Sequence, residues 1–317
     1  MKILKIVFVL LLVGACSACT TLPDIKPFAD ATAALGAAVK ATGPAVKDSL
    51  ELAAVPESDI KAFDDAWAAR VRAASAISNY SSRIAELVAS GQTGQSAAER
   101  IADGISTLSA SLGLAFGPVS SIAVDAFKLV NGEIAKIRAT KSLADATSAA
   151  KPAVHQFADA MERDGEKLML VLDGAEAARR TAAKKENLGL EGTYKNYLSR
   201  LEALRKVSIA APDADATKEP REALVRQKAR AEGAELLTLF AEVRSNWLAY
   251  EASQLAAKKA NAARKQLVRE LSLSVNAWAN AHDDIQQALS VGRQVNIAQL
   301  VQSLAEIQDL IKRIGAV

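Results

Sequence analysis

Apolar residues recur at intervals of three and four along most of the chain, which is the spacing of amphipathic α-helices rather than of strands. The first long stripe predicts a helix from about Ser58 to Ser90 that Gly91 and Gly94 end. Its apolar members are Ile60, Phe63, Trp67, Val71, Ala74, Ile77, Ile84, Leu87 and Val88. This stripe is wide enough to require burial against other helices.

Three further helical regions follow before residue 210. A capping-box sequence, Ser96 to Glu99, predicts the start of a helix that ends near Leu112. The pattern then predicts helix from about Val119 to Lys185, with Pro152 as a kink or boundary because proline removes one backbone hydrogen bond. A turn is expected over residues 187–192, after which Tyr194, Tyr197, Leu201 and Leu204 restart the apolar stripe.

The C-terminal third contains the most regular pattern. Residues 210–220 are rich in Pro, Asp and Ala and predict a loop, which is a possible boundary within the folded body. Beyond the loop a heptad-like seam is predicted, and Asn296 is expected to cap a final helix with a wide apolar face. The seam comprises Leu236, Phe240, Val243, Trp247 and Tyr250 and resumes at Leu267, Leu271, Val275 and Trp278; the final face comprises Ile297, Leu300, Val301, Leu304, Ile307, Leu310, Ile311 and Ile314.

These patterns predict an all-α fold. Residues 28–317 are expected to form an elongated antiparallel helical bundle with long coiled-coil-like helices and no sheet. Composition agrees, because half of the 317 residues are hydrophobic but only 4% are aromatic, and such a chain favours closely packed helices. The three tryptophans, Trp67, Trp247 and Trp278, lie on apolar stripes and are predicted to be core residues.

The N-terminus has the layout of a secretory signal. Lys2 and Lys5 flank the start of an apolar run from Ile6 to Val13, which is followed by Gly14, Ala15 and Cys16. The end of this segment resembles the lipobox of bacterial lipoproteins. The resemblance implies that residues 1–15 are a signal peptide cleaved before Cys16, which then carries a diacylglycerol on its sulfur and an acyl chain on its amine. Cys19 is a less favoured alternative, because Cys16, Ser17 and Ala18 before it match the motif less well.

Lipidation would set the location of the protein. Residues 16–27 would form a lipidated tether, and Ser17 after the modified cysteine favours sorting to the bacterial outer membrane, with the body in the periplasm or at the cell surface. Cleavage would remove Lys2 and Lys5, so 37 of the 39 basic residues would remain against 36 acidic residues. A net charge near +1 argues against a nucleic-acid partner.

The sequence lacks the motifs of the common catalytic and cofactor sites. Two cysteines and two histidines are too few for a Cys/His metal site or a disulfide framework. His155, Asp159 and Glu162 have the spacing of half a metal site, but the favoured interpretation is that His155 and His282 are ordinary surface or boundary residues. Basic clusters near residues 179–185 and 258–269 are likewise interpreted as solvated helix faces. We therefore expect neither an enzyme nor a metal, cofactor or small-molecule site.

Residues 104–124 contain no charged side chain. They predict either a tightly packed pair of helices or an element that inserts into a membrane, as in α-helical pore-forming toxins. Several serines and the breaks at Gly113, Gly117 and Pro118 favour the packed form. The sequence thus predicts a lipid-anchored envelope lipoprotein whose helical body is a noncatalytic binding or scaffolding module for an envelope protein. The alternative is a membrane-active helical bundle that inserts through residues 104–124.

Overall fold

The structure is a computed structural model that describes residues 23–92, 94–115, 132–209 and 220–315. All regular elements in these ranges are helices, and the all-α prediction is confirmed for them. The helices are α1 (Lys26–Leu52), α2 (Glu57–Ala89), α3 (Gln95–Ala115), α4 (Leu143–Glu186), α5 (Leu188–Ile209), α6 (Pro220–Val291) and α7 (Ala298–Gly315), and residues 132–138 are also helical. The signal peptide, Cys16, Cys19, residues 116–124 and residues 210–219 of the expected loop lie outside the described residues.

The chain divides into two compact units. Unit 1 contains α1, α2, α3, residues 132–138, α4 as far as Asp173, α6 from Ala263, and α7; unit 2 comprises residues Gly174–Ala262. The sequence placed a possible boundary only in the loop at 210–220. That boundary stays a prediction, because residues 210–219 lie outside the described residues; the two units divide within the long helices α4 and α6.

Helix ends follow local chemistry, with some corrections to the expected bounds. Gly91 ends α2 in a left-handed conformation with φ of 63°, and its N–H and that of Gln92 bond the carbonyls of Val88 and Leu87. This confirms the stop that the sequence predicted at that glycine. α3 begins at Gln95, so Ser96 lies within its first turn, and it continues to Ala115 rather than stopping near Leu112.

The middle region contains two further differences from expectation. α4 begins only at Leu143, because the Ser142 hydroxyl accepts a hydrogen bond from the Asp145 N–H (3.0 Å) and caps the helix. The helix then continues through Pro152 without a boundary. The expected turn over 187–192 is reduced to Asn187, where α5 follows α4 almost directly.

The interior of unit 1 is built from aromatic and aliphatic side chains of several helices. α1 packs on α2 and α7, and α2 packs on α3. Phe28 of α1, Tyr80 of α2, Phe157 of α4 and Trp278 of α6 are all buried, and the rings of Tyr80 and Phe157 meet Trp278 edge-on at centroid distances of 6.3 and 6.0 Å. The predictions that Trp67 and Trp278 are core residues are confirmed.

α7 is an integral part of unit 1. Asn296 accepts a hydrogen bond from the Ala298 N–H (3.1 Å) through its side-chain oxygen, as expected of a cap. The buried side chains of its apolar face are Leu300, Leu304, Ile307, Leu310 and Ile314. Val301 is exposed, and Ile297 and Ile311 are partly exposed, so the buried face is narrower than the sequence pattern suggests.

Unit 2 is formed by antiparallel helices. The last turns of α4 and the helix α5 run antiparallel to α6. Arg179 bonds Gln254 (3.2 Å), whereas Arg200, later in the chain, pairs with Glu232 (3.0 Å), which comes earlier on α6. The partly buried residues of α5 recur every three or four positions, as expected of a helix with one covered face. They are Leu190, Glu191, Tyr194, Tyr197, Leu201 and Leu204.

Candidate interaction surface

The seam of unit 2 is a row of aromatic rings. The Tyr194 ring of α5 stacks on Phe240 and Trp247 of α6, with centroid distances of 5.5 and 5.4 Å and interplanar angles of 25° and 14°. Trp247 also meets the Tyr250 ring at 5.5 Å. The heptad spacing of the sequence predicted this α6 row, and the ring contacts confirm that its aromatic members, Phe240, Trp247 and Tyr250, share one face.

The same seam corrects one prediction. Trp247 was expected in the core, but it is only partly buried, as are Phe240, Val243 and Tyr250. Leu236 is the one seam residue of unit 2 that is buried. Two packed helices cover only the sides of the seam that face each other, so the outer edges of these large rings remain in contact with solvent.

A second apolar row lies beside the seam on α6. Leu237, Leu248 and Leu255 are 57, 49 and 54% exposed. Their spacings of eleven and seven residues correspond to whole numbers of helical turns, so the three side chains project in nearly the same direction. At about 1.5 Å per residue the row extends over roughly 27 Å. We call these three side chains the leucine row.

Charged contacts lie near both ends of the seam. Arg179 binds Glu176 through two nitrogens at 3.0 Å each, and both side chains are largely buried. The Arg200–Glu232 pair is about half exposed, so it contributes at most a little to stability. These charged groups are paired with each other, and the leucine row is one set of exposed apolar side chains beside them.

The buried polar groups of unit 1 form a different kind of cluster. The Tyr80 hydroxyl and His282 Nε2 are 2.8 Å apart, and Trp278 Nε1 donates to the Ser81 hydroxyl at 3.0 Å. Burial raises the pKa of Tyr80 and lowers the pKa of His282 to about 4, so both groups are uncharged at neutral pH. Because all four side chains lie in the interior, the cluster specifies how the helices fit together.

His155 does not assemble the half metal site that its spacing suggested. Its Nε2 lies 2.9 Å from Asp283 of α6, and Lys151 also approaches that carboxylate at 3.4 Å. Glu162 instead accepts a hydrogen bond from Asn276. Within the described ranges, three or more potential ligands nowhere come close enough to hold a metal ion. His155 is partly exposed, in line with the favoured interpretation, whereas His282 is fully buried and contradicts it.

A small cavity of about 30 Å³ lies in unit 1 beside Trp67 and Met161. One wall is an ion pair in which Asp164 accepts two hydrogen bonds from Arg70, at 2.5 and 2.9 Å. The Arg70 guanidinium also lies 5.5 Å from the centroid of the Trp67 ring. The cavity has room for a water molecule or two, and its polar wall is already paired.

The uncharged segment is described only in its first part. Residues 104–115 belong to α3, where the side chains of Ile105, Leu108, Ser109 and Ser111 are buried in unit 1. Gly104 packs so closely on the Tyr80 ring that an added Cβ would lie 2.7 Å from Cδ2. This part agrees with the packed form that the sequence favoured. None of the helices within the described ranges has a stretch both long and apolar enough to cross a bilayer.

Comparisons of the chain with protein-family models, with curated proteins and with solved structures found no match. The assignment of a site therefore depends on the geometry of this chain alone. Cys16 and Cys19, the residues for which the sequence suggests a modification, lie outside the described residues.

Two features described above, one in each unit, were not predicted from the sequence. The leucine row has a recognisable helical spacing, but the stronger aromatic seam beside it dominates the pattern. Tyr80 and His282 are 202 positions apart, and no local pattern signals that they meet.

Proposed function

We propose that this protein is a lipid-anchored lipoprotein of the bacterial envelope whose helical body binds a protein partner without catalysing a reaction. Cys16 would carry the lipid, and Cys19 is the less favoured position. The anchor would hold the body at the outer membrane, facing the periplasm or the cell surface. The lipobox-like sequence supports the anchor, and the leucine row of unit 2 carries the proposal of binding.

The leucine row is a plausible contact site on physical grounds. Half-exposed leucines that project together from one helix leave apolar surface in water, and exposed apolar side chains on a folded protein can mark an interaction site. An amphipathic helix that binds in a groove typically contacts it through side chains at such helical spacings. A partner that covers the row would also cover the outer edges of the neighbouring aromatic seam.

The polar clusters of unit 1 support a catalytic role less well than the leucine row supports binding. Tyr80 and His282 are sealed in the interior, and Asp164 is occupied by Arg70. The membrane-active alternative has less support, because Gly104 packs against Tyr80 and the next apolar residues of the segment, Ile105 and Leu108, are buried in unit 1. We therefore favour a binding module over both an enzyme and an inserting protein.

Mass spectrometry of the N-terminal peptide from membrane-extracted protein tests the anchor. We expect a peptide that begins at Cys16 and carries acyl chains, and we expect Cys16→Ala to remain an unprocessed precursor. Normal maturation of Cys16→Ala, with an acylated N-terminal peptide that begins at Cys19, would move the anchor to Cys19. An unmodified Met1 in the membrane-extracted protein would refute the lipoprotein proposal.

Chemical cross-linking in intact cells, followed by capture of the tagged full chain, tests the binding surface. The variant carries Leu237→Lys and Leu248→Lys, and the matched control carries Leu170→Lys and Leu273→Lys, which replace exposed leucines of unit 1. We expect the same cross-linked protein with the wild type and the control, and its loss with the unit 2 variant. Equal recovery from all three chains would show that the leucine row is not the binding site.

A further inference from the structure

One part of unit 2 combines positive charge with exposed aliphatic side chains. We define the basic helix pair as residues 195–209 of α5 and 220–230 of α6. Its acidic residues are Glu202 and Glu222, and its basic residues are Lys195, Arg200, Arg205, Lys206, Arg221, Arg226, Lys228 and Arg230. The connecting residues 210–219 contain Lys218, Asp213, Asp215 and Glu219, so residues 195–230 still have nine basic against five acidic side chains.

Little of this positive charge is neutralised by neighbouring carboxylates. Lys195 pairs with Glu191 at 2.6 Å, and Arg200 pairs with Glu232 at 3.0 Å. Within the part of the chain that the structure describes, Arg205, Lys206 and Lys228 form no ion pair. These three side chains are exposed and give the basic helix pair a positive surface.

Aliphatic side chains lie among these charges on the first turns of α6. Arg221, Leu224, Val225 and Lys228 have spacings of three, one and three residues, which place all four on one helix face. Leu224 and Val225 are 51 and 52% exposed. Val207 of α5 is also exposed, next to Lys206.

We propose that the basic helix pair docks on an anionic lipid surface. A lipid interface accepts aliphatic side chains into its acyl boundary, and its anionic headgroups attract lysine and arginine. It can therefore bind the aliphatic and the basic side chains of this surface together. The charge of the basic helix pair favours a lipid surface over an ordinary apolar groove, which would leave six or more cations without partners. This contact would be distinct from the proposed lipid anchor and from the leucine row.

A polarity-sensitive dye at position 225 tests this proposal in the full chain. Cys16→Ser and Cys19→Ser remove the native thiols and any lipidation, and Val225→Cys supplies the site for the dye. We expect a blue shift of the emission with vesicles of phosphatidylcholine and phosphatidylglycerol, no shift with phosphatidylcholine alone, and reversal of the shift at high salt. The same dye at Leu248→Cys, on the leucine row, is expected to report no shift.

Two charge-reversal variants make the test specific. Arg205→Glu with Lys206→Glu should abolish the shift, whereas Lys258→Glu with Lys259→Glu changes the net charge of unit 2 equally but should retain it. Equal shifts with both vesicle types, equal loss in both variants, or no shift at position 225 would each overturn the proposal. Because lipidation is absent from these chains, failure of the anchor at Cys16 would not affect the result.

Discussion

The two units use the same helical pattern but bury it to different depths. In unit 1 the described aromatic residues, Phe28, Phe63, Trp67, Tyr80, Phe157 and Trp278, are all buried. In unit 2 the described aromatic residues, Tyr194, Tyr197, Phe240, Trp247 and Tyr250, are all only partly buried. Several helices surround the interior of unit 1, whereas the rings of unit 2 lie between two. The period of the pattern therefore identifies which residues share a face, but the number of neighbouring helices determines how much of that face is covered.

The same difference separates groups that hold helices together from groups that remain at the surface and could contact a partner. Two pairs of polar groups inside unit 1 bind each other across helices, Tyr80 with His282 and Arg70 with Asp164. In unit 2 the leucine row and the basic helix pair remain at the surface. We infer that unit 1 provides the stable body, and we place the proposed interactions on unit 2.

The largest expected contrast comes from removing one tryptophan from each unit. Trp278→Ala should destabilise unit 1 by about 3–5 kcal/mol, because a fully buried ring leaves a cavity. Trp247→Ala should cost about 1 kcal/mol, mainly the stacking with Tyr194. Chemical denaturation followed by circular dichroism measures the first, and hydrogen exchange of unit 2 peptides measures the second. Equal costs would show that unit 2 is covered more fully than its exposed rings indicate.

This contrast defines what the sequence could predict. Helical periodicity located most elements, the stop at Gly91 and the cap at Asn296, because these depend on residues within one or two turns. The start of α4 was missed although Ser142 and Asp145 have the spacing of a capping box, because the apolar pattern upstream appeared continuous. The partial burial of the Trp247 side chain could not be predicted, because it depends on residues such as Tyr194 from another part of the chain.

The same reasoning applies to the candidate sites. The leucine row follows from a local spacing within α6, so the sequence alone contains the pattern that defines it. By contrast, the burial of His282 depends on Tyr80 and Trp278 together, and the pairing of Arg70 with Asp164 joins residues 94 positions apart. Contacts of this kind require the fold to be known before they can be recognised.

Breaking one ion pair in each unit should give the next largest contrast. Asp164→Ala should cost about 3–5 kcal/mol, because it leaves the largely buried Arg70 guanidinium without its counter-ion. Glu232→Ala removes a pair that is half exposed and should cost at most about 1 kcal/mol. Thermal and denaturant unfolding compare the two variants. A small cost for Asp164→Ala would mean that water or another group replaces the carboxylate.

Mild acid should weaken unit 1 selectively. Burial lowers the pKa of His282 to about 4, against about 6.5 in an unfolded chain, although Asp283 partly opposes the shift and His155 and Lys151 reinforce it. The unfolded state therefore binds the proton more readily. The resulting stability is complete above pH 6.5 and declines by roughly 3 kcal/mol as the pH falls from 6.5 to 4.

Unfolding curves recorded across this pH range test the assignment. His282→Gln should be less stable at neutral pH but should lose most of the pH dependence between 6.5 and 5, whereas His155→Gln should retain it. Unit 2 contains no histidine, so its hydrogen exchange, corrected for the intrinsic effect of pH, should change little over the same range. A wild-type stability that is flat between pH 6.5 and 5 would contradict the buried, neutral state of His282.

The smallest expected effects come from glycines, and here the two units should differ in sign. Gly104→Ala in unit 1 places a Cβ 2.7 Å from the Tyr80 ring, so the substitution should cost about 1–3 kcal/mol unless α3 shifts. Gly233→Ala lies within α6 in unit 2, where an added Cβ meets no atom within 4 Å. Alanine should stabilise that helix by about 0.5–1 kcal/mol, because it restricts the unfolded chain without a clash in the fold. Urea unfolding can measure the cost at position 104, and hydrogen exchange of α6 peptides can measure the gain at position 233. A loss of protection in Gly233→Ala would show that a surface packs on this position, and that unit 2 is less open than its exposed side chains suggest.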